Sequence, residues 1–257
     1  MRIIVTGARG GIGNFIAKNL SKKHEVIGIS RNKIKSAKFK NYQCDLTNIK
    51  QIKNLKDSVF QNKETFDALI CSAGTQGKFS TFDNLSSNQW IESVNSNIKM
   101  TFYPIKEFRK NYNIKSKFKI ICFSGGGATA PRVNLSGYSA GKTAIVRMVE
   151  NLSLEWKQEN IDINVIAPGA IYTNMTKEML ALGKNKIGEN EYATALDAKL
   201  NSKKRLNNVH KLITFLLSKK SNGVSGNLIS AQWDSLLDIK SNLAINNECY
   251  KLRRLIK

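Results

Sequence analysis

The sequence predicts an α/β fold in which a parallel β-sheet is covered by helices on both faces. Along its 257 residues, short apolar segments alternate with longer segments whose apolar residues recur every three or four positions. The apolar segments are continuous rather than alternating, as in strands that are buried on both faces. No linker rich in proline, glycine or serine and no internal repeat interrupts this order. We therefore expect a single domain over residues 1–257.

The predicted elements follow one another regularly. The first helix is expected after strand 2–6, because Ile12, Phe15, Ile16 and Leu20 form one apolar stripe. The other strands are expected at residues 25–30, 41–45, 66–74, 117–124, 161–169 and 226–230, and the other helices at residues 48–60, 89–108, 137–158 and 204–219.

Two segments do not fit this alternation. Residues 174–200 are weakly amphipathic, and an insertion at this place in an open α/β sheet lies over the carboxyl ends of the strands, where ligands bind. We expect this segment to be a substrate lid. Residues 240–257 form a basic tail to which the sequence assigns no structure.

A glycine-rich loop joins the first strand to the first helix. In VTGARGGIG, Gly7, Gly11 and Gly13 stand where glycines permit a tight turn and let the backbone approach a pyrophosphate at a helix amino terminus. A glycine pattern alone can be an incidental turn, but here the strand, the helix and the next strand are all present. The sequence therefore predicts a Rossmann-type, doubly wound sheet of about seven strands that binds a dinucleotide.

The end of the second strand indicates which dinucleotide is bound. Sheets that select NAD usually carry an acidic residue here, which binds the ribose hydroxyls. This chain has Ser30 and Arg31, and Arg9 projects from the glycine loop nearby. Because a guanidinium pairs well with a phosphate, we expect NADP, with NAD as the alternative if Arg31 is only a solvated charge.

A tyrosine and a lysine share one face of the helix predicted at residues 137–158. Tyr138 and Lys142 are four residues apart, so their side chains lie one turn apart. A phenol has a pKa of about 10, and a neighbouring ammonium stabilises the phenolate. Such a tyrosine can exchange a proton with an alcohol or a carbonyl while a hydride moves to or from a nicotinamide.

These motifs resemble those of the classical short-chain dehydrogenase/reductase family, over residues 1 to about 232. The family's Thr-Gly-x-x-x-Gly-x-Gly motif matches Thr6–Gly13, and its Asn-Ala-Gly motif matches Ser72–Gly74 with the asparagine replaced. The resemblance implies that Asp45 contacts the adenine and that Thr173 contacts the nicotinamide carboxamide. The expected cofactor-binding residues are Thr6, Gly7, Arg9, Gly11, Ile12, Gly13, Ser30, Arg31, Asp45, Leu46, Ser72, Ala73, Gly74, Tyr138, Lys142, Pro168, Gly169 and Thr173.

The resemblance also implies a catalytic set of Asn97, Ser124, Tyr138 and Lys142, in which Asn97 helps to hold a water that relays protons. The family serine lies about 13 residues before the tyrosine, which is the position of Gly125 here, one residue after Ser124. In the favoured arrangement the glycines after the strand bend Ser124 into the catalytic place. In the other, Ser124 stays in the sheet and a backbone N–H or Ser136 replaces it.

Composition narrows the class of protein. The net charge of +22 is carried by scattered basic residues rather than by a dense stripe with interleaved aromatic residues, so nucleic-acid binding is not the expected function, whereas an anionic small molecule fits. No apolar stretch approaches the roughly 20 residues of a membrane span, and the chain enters structural sequence at once, so we expect a cytoplasmic protein. The four cysteines form no C-x-x-C pair and have no histidine at metal spacing, so we expect no metal site.

The expected function is interconversion of an alcohol and a ketone by hydride transfer, with Tyr138 as the general acid or base and NADP as the favoured cofactor. Two alternatives stay open: a nucleotide-sugar epimerase or dehydratase that recycles the hydride internally, and a dinucleotide-binding protein without catalysis. Segments 75–86, 125–136 and 174–200 are expected to shape the substrate pocket. The family resemblance implies a homodimer or homotetramer.

Overall fold

The computed structural model describes residues 1–35, 37–60 and 64–254. Its centre is a sheet of seven parallel strands in the order β3-β2-β1-β4-β5-β6-β7, which confirms the predicted doubly wound architecture. The strands are β1 (Arg2–Thr6), β2 (Glu25–Ser30), β3 (Lys40–Gln43), β4 (Ala68–Cys71), β5 (Phe118–Phe123), β6 (Ile161–Ala167) and β7 (Leu228–Ser230). The helices are α1 (Gly11–Leu20), α2 (Ile49–Val59), α3 (Ser87–Glu107), α4 (Ser136–Glu155), α5 (Asn174–Leu182), α6 (Lys184–Ile187), α7 (Glu189–Leu217) and α8 (Ile239–Ile245).

The central strands bury both faces, which explains why their apolar segments are continuous. In β1, Ile4 packs in the core under α2, α3 and α4, whereas Ile3 and Val5 pack in the core under α1, α7 and α8. The same alternation of faces recurs in β5, where Ile120 and Ile121 point into opposite cores. Because successive strand residues face opposite ways, helices on both faces require an apolar residue at every position.

The order of the strands places the functional end of the sheet. The chain runs outward from β1 to β3 and then returns to β4 on the other side of β1. The loops after β1 and β4 therefore diverge at one point, and ligands of open α/β sheets bind at such a switch point. The glycine loop, which follows β1, lies there.

The structure corrects the expected division between a lid and a separate helix at residues 204–219. Helix α7 is continuous over 29 residues, from Glu189 to Leu217, and it includes residues 189–200 of the predicted lid. It contains neither glycine nor proline, and Gly188, with φ +86°, ends the preceding helix α6. The sequence pattern does not predict one continuous helix, because only its second half, from Val209 onward, carries an apolar stripe that packs in the core. The first half buries only Ala195 and Ala198.

The basic tail has a defined course. After α8, the backbone N–H of Leu228 in β7 donates to the carbonyl of Tyr250 at 2.8 Å. Further along, the N–H of Leu252 donates to the buried carboxylate of Glu150 in α4 at 2.9 Å. The tail thus returns to the β7 edge and to α4, and residues 255–257 of the predicted tail lie outside the described residues. In the part of the chain that the structure describes, no helix is long and apolar enough to cross a membrane.

A buried ion pair joins β5 to β6 and gives a stability prediction. Lys119 and Asp162 are register partners whose charged atoms lie 2.6 Å apart, and each side chain is only 4% exposed. Lys119→Met leaves the Asp162 carboxylate buried without its counter-charge, so we expect the free energy of unfolding to fall by about 3–5 kcal/mol. Urea unfolding measures this loss. The double variant Lys119→Met/Asp162→Leu should recover most of it, and an unchanged midpoint in the single variant would contradict the account.

Candidate active site

The carboxyl ends of the strands open into a cavity of about 920 Å³. Its walls come from the glycine loop, the end of β5, the first turns of α4, the loop after β6, and helices α5 and α7. Of the residues expected in the site, those that line this cavity are Gly7, Gly11, Ile12, Gly13, Ser72, Gly74, Ser124, Tyr138, Lys142, Pro168, Gly169 and Thr173. The expected residues outside its lining are Thr6, Arg9, Ser30, Arg31, Asp45, Leu46, Ala73 and Asn97.

The glycine loop is closely packed against the end of β4. Gly7 has φ +67°, and a Cβ there would lie 2.8 Å from the backbone of Ala73. A Cβ on Gly13 would lie 2.3 Å from the carbonyl oxygen of Gly7. Both positions therefore require glycine, as the sequence motif predicts.

Hydrogen bonds join this loop to the segment in which serine replaces the family's asparagine. The Ser72 hydroxyl donates to the carbonyl of Thr6, and the N–H of Ala73 donates to the Thr6 hydroxyl at 3.2 Å. Ser72 thus links the ends of β1 and β4 despite the replacement, and the glycine loop keeps its place.

Two arginines lie near the end of β2, where the sequence lacks an acidic residue. Arg31 follows β2 and is exposed, and Arg9 projects from the glycine loop. With the Asn32 amide oriented to satisfy both its polar atoms, its oxygen accepts from Arg9 Nη1 at 2.8 Å. Ser30 is buried and donates to the Asn32 carbonyl at 2.8 Å. Two guanidiniums therefore lie near the end of β2, Arg9 from the glycine loop and Arg31 from the loop after β2, and residues 30–35 carry no side-chain carboxylate.

The segment after β3 holds Asp45 in a fixed orientation. Its carboxylate accepts from the N–H and the hydroxyl of Thr47, at 2.9 and 2.8 Å. The backbone hydrogen bond, above all, lowers the pKa of Asp45, and the charge of Arg31 adds to that shift. Leu46 is buried beside it. Asp45 is thus ionised and near Arg31, at the cofactor end that the sequence predicts.

Tyr138 and Lys142 lie together on the cavity side of α4. Their exposed fractions are 6% and 5%, and the Lys142 ammonium lies 5.8 Å from the centre of the Tyr138 ring. The ammonium also donates to the carbonyl of Phe123 at 3.2 Å. Burial lowers the pKa of Lys142 to about 8 and raises the pKa of Tyr138 above its ordinary value. For Tyr138, burial therefore outweighs the lowering of its pKa by the positive charge of Arg132.

Asn97 holds the loop after β4 next to this pair. It is fully buried in α3, and its side-chain amide donates to the carbonyl of Thr75 at 2.8 Å and accepts from the Thr75 N–H at 3.3 Å. A Cβ on Gly74 would lie 3.1 Å from the Lys142 ammonium and 3.4 Å from Asn97 Oδ1. Asn97 therefore fixes a backbone segment that passes directly beside Lys142.

Ser124 lines the cavity at the end of β5, but its hydroxyl is turned toward the backbone of α4. Its N–H donates to Ile166 at 2.9 Å, which continues the sheet, and its buried hydroxyl donates to the Lys142 carbonyl at 3.3 Å. Gly125 takes the place beside the tyrosine, since a Cβ there would lie 2.5 Å from the Tyr138 hydroxyl oxygen. The other candidate, Ser136, accepts from the Trp90 indole at 3.0 Å. In this arrangement the Ser124 hydroxyl is bonded to the Lys142 carbonyl, and the backbone of Gly125 lies against the Tyr138 hydroxyl.

The loop after β6 is held by a residue that the sequence analysis missed. Gln232 donates to the carbonyl of Pro168 at 2.7 Å and accepts from Asn208 of α7 at 3.1 Å. Gly169, with φ +77°, packs against the Gln232 side chain. Thr173 lies at the start of α5, and its methyl group faces Gly11. The role of this glutamine, two residues beyond the last strand, could not be predicted from the sequence, because its hydrogen-bond partners are distant in the sequence.

A second missed feature is an ion pair in the cavity wall. Arg132, in the loop before α4, donates through Nε to Glu191 at 2.9 Å and through Nη2 to the other carboxylate oxygen. Both side chains are largely buried, and both line the cavity. The two residues fall in segments 125–136 and 174–200, which the sequence predicts to shape the pocket, but their pairing could not be predicted from it.

Comparison with known proteins places the chain in a family. The family model described as short chain dehydrogenase matches residues 1–182. The chain is 27% identical to the 3-oxoacyl-[acyl-carrier-protein] reductase FabG of Buchnera aphidicola subsp. Acyrthosiphon pisum, over 88% of this chain and 93% of that protein. It is 29% identical to the 2-dehydro-3-deoxy-D-gluconate 5-dehydrogenase of Pseudoalteromonas atlantica, over 68% and 74%.

The solved structures show the same fold. A single-residue variant of actinorhodin polyketide ketoreductase, in complex with NADPH, superimposes with a TM-score of 0.77 at 20% identity, over 89% of this chain and 94% of that one. The fold, the family match and the cavity at the carboxyl ends of the strands agree with one another. The chain therefore belongs to the classical short-chain dehydrogenase family and is an NAD(P)-binding oxidoreductase that acts on hydroxyl or keto groups.

Proposed function

We propose that the protein is an NADPH-dependent reductase of a small ketone, with Tyr138 as the proton donor, and that residues 1–257 act as one catalytic domain. The observation that carries this proposal is the placement of Tyr138 and Lys142, both buried at the cavity, on the side of the sheet where the glycine loop lies. A phenol and an ammonium in a partly closed cavity supply proton transfer at an oxygen atom. The relative FabG is by name a reductase of a keto group, which supports the reductive direction.

In this proposal, different residues bind the cofactor and transfer the proton. The glycine loop and the amino terminus of α1 bind the pyrophosphate, and Asp45 binds the adenine end. Bound NADPH supplies the hydride that reduces the carbonyl carbon. Tyr138 gives its proton to the carbonyl oxygen, and the Lys142 ammonium stabilises the phenolate that is left. Asn97 keeps the backbone beside Lys142 in place. We also propose that Asn97 helps to hold a water that relays protons toward Lys142.

The substrate that fits this cavity is a small, polar carbonyl compound. Charged, hydroxyl and amide side chains line the wall that α7 contributes, among them Thr194, Asp197, Asn201 and Lys204. An anionic compound would also be attracted by the net charge of +22. The relative from Pseudoalteromonas atlantica acts, by its name, on a sugar acid, which is a polar and anionic compound.

We propose a cytoplasmic homodimer or homotetramer, with α3 and α4 at the interface. These helices pack on each other, and the apolar side chains of Ile91, Phe102 and Leu154 on them are exposed. Apolar side chains in contact with solvent on two neighbouring helices support an interface between subunits. Light scattering on the purified protein measures the number of subunits.

Arg31→Asp tests the choice of cofactor. Loss of a charge-assisted hydrogen bond costs about 1.5–3 kcal/mol, which is about 10- to 100-fold in affinity. We therefore expect the variant to bind NADPH about 10- to 100-fold more weakly and to lose its preference over NADH. Fluorescence titration with both cofactors measures the effect. Lys22→Asp, which makes the same charge change near the far end of α1, is the control, and an unchanged NADPH affinity in Arg31→Asp would contradict the preference.

A further inference from the structure

The hydroxyl of Tyr138 faces backbone rather than a polar side chain. Gly125 lies against it, and the Ser124 hydroxyl is bonded to the Lys142 carbonyl instead. Within the described ranges, no side chain makes a hydrogen bond to the Tyr138 hydroxyl oxygen. The stability of the phenolate therefore depends on the charges around the ring rather than on a neighbouring hydroxyl group.

Three charged side chains face this ring from three parts of the fold. Lys142, on α4 itself, places its ammonium 5.8 Å from the ring centre. Arg132, in the loop between β5 and α4, places its guanidinium 5.9 Å from the same centre. Glu191, in the first turn of α7, is held to Arg132 by two hydrogen bonds. Burial has the largest effect and raises the pKa of Tyr138, the positive charge of Arg132 lowers it, and the negative charge of Glu191 raises it.

We propose that the Arg132–Glu191 pair sets the proton affinity of Tyr138, with Arg132 favouring the phenolate and Glu191 favouring the phenol. Arg132 is thus a positioning residue that acts through Tyr138, and this role rests on the proposed function of that tyrosine. The geometry supports it because the bidentate pair fixes the guanidinium in one place, and because both side chains are partly shielded from water, with exposed fractions of 23% and 16%. Shielded charges interact more strongly than charges on an open surface.

The pair also links proton transfer to the lid. Glu191 belongs to α7, whereas Arg132 belongs to the loop that precedes Tyr138, so the two hydrogen bonds to the carboxylate join α7 to the loop that leads into the helix of Tyr138. When Glu191 lies on Arg132, it offsets the positive charge near the ring. A displacement of α7 that separates them would leave Arg132 alone beside the tyrosine and favour the phenolate.

The titration of the Tyr138 phenol tests the proposal directly. The absorbance of tyrosinate at 295 nm is followed from pH 8 to 12, and the signal of Tyr138 is obtained by subtracting the matched Tyr138→Phe variant. Removing a nearby positive charge raises a phenol pKa and removing a negative charge lowers it, each by about one unit at this separation. We therefore expect a higher midpoint in Arg132→Met, a lower midpoint in Glu191→Gln, and a near-original midpoint in Arg132→Lys. Far-UV circular dichroism at each pH confirms that the protein stays folded.

Opposite shifts of the Tyr138 midpoint in the Arg132 and Glu191 variants distinguish the proposed electrostatic role of the pair from a merely structural role. If the pair only fastens the lid, both Arg132→Met and Glu191→Gln break the same contact, and their midpoints move in the same direction or not at all. That result would overturn the proposal. The titration needs neither cofactor nor substrate, so opposite shifts in a protein that never reduces a carbonyl would support the electrostatic role of the pair and contradict the proposed function instead. In an active protein, the pH profile of turnover should move with the same signs.

Discussion

Replacing Tyr138 by phenylalanine is expected to lower turnover by about 100- to 10,000-fold, the usual contribution of a positioned general acid. The Tyr138 phenol is buried at the cavity and is the proposed proton donor, and phenylalanine keeps the ring but cannot donate a proton. Binding of NADPH should stay nearly unchanged, because the glycine loop and Asp45 are untouched by the substitution. Initial rates of NADPH oxidation and a fluorescence titration of NADPH measure the two effects separately.

The matched control removes a hydroxyl elsewhere in the protein. Tyr103→Phe makes the same chemical change at a partly buried residue of the α3 core, away from the cavity lining. It should leave both turnover and NADPH binding close to those of the unmodified protein. Full activity in Tyr138→Phe would remove the tyrosine from the mechanism.

Replacing Gly13 by alanine is expected to disrupt binding of the dinucleotide. The new Cβ would lie 2.3 Å from the Gly7 carbonyl oxygen and 2.6 Å from the Ser72 hydroxyl, so the backbone of the loop must move. Overpacking of this kind costs about 1–3 kcal/mol. If this cost reduces the binding free energy of NADPH, the affinity falls by up to about a hundredfold. We expect NADPH affinity to fall in that range, with a smaller part of the cost appearing as a lower unfolding midpoint.

Gly126→Ala is the control for the added methyl group. A Cβ at Gly126 meets nothing within 4 Å, so the same substitution should be tolerated there. Equal NADPH affinities in Gly13→Ala and Gly126→Ala would show that the close packing of the glycine loop does not matter for the cofactor. A titration of NADPH fluorescence in parallel with urea unfolding makes the comparison.

The sequence predicts the parts of this fold that depend on local pattern. The buried strands lie where continuous apolar segments predict them, within a few residues at their ends, because strands buried on both faces need apolar side chains throughout. The edge strand β3 also lies near its predicted place, but it is polar and only partly buried. The glycine loop is predictable for a similar reason. At Gly7 the positive φ, and at Gly13 the contact with the Gly7 carbonyl, admit no other residue.

The parts that the sequence does not predict depend on contacts between distant segments. The continuity of α7 was missed because the first half of that helix faces the cavity and lacks an apolar stripe. The placement of Ser124 is decided by one hydrogen bond to Ile166 and one to Lys142, which residue spacing cannot show. Arg132 and Glu191 are 59 residues apart, and only the fold makes them neighbours.

The most direct test of the account follows the hydride. The protein is incubated with NADPH that carries deuterium at the transferable position and with a panel of small polar ketones, and the products are analysed by mass spectrometry. We predict that absorbance at 340 nm falls in proportion to product and that each product molecule carries one deuterium atom. Product formation with undiminished NADPH absorbance would contradict net reduction and would show instead that the hydride is recycled within the site, as in an epimerase or dehydratase.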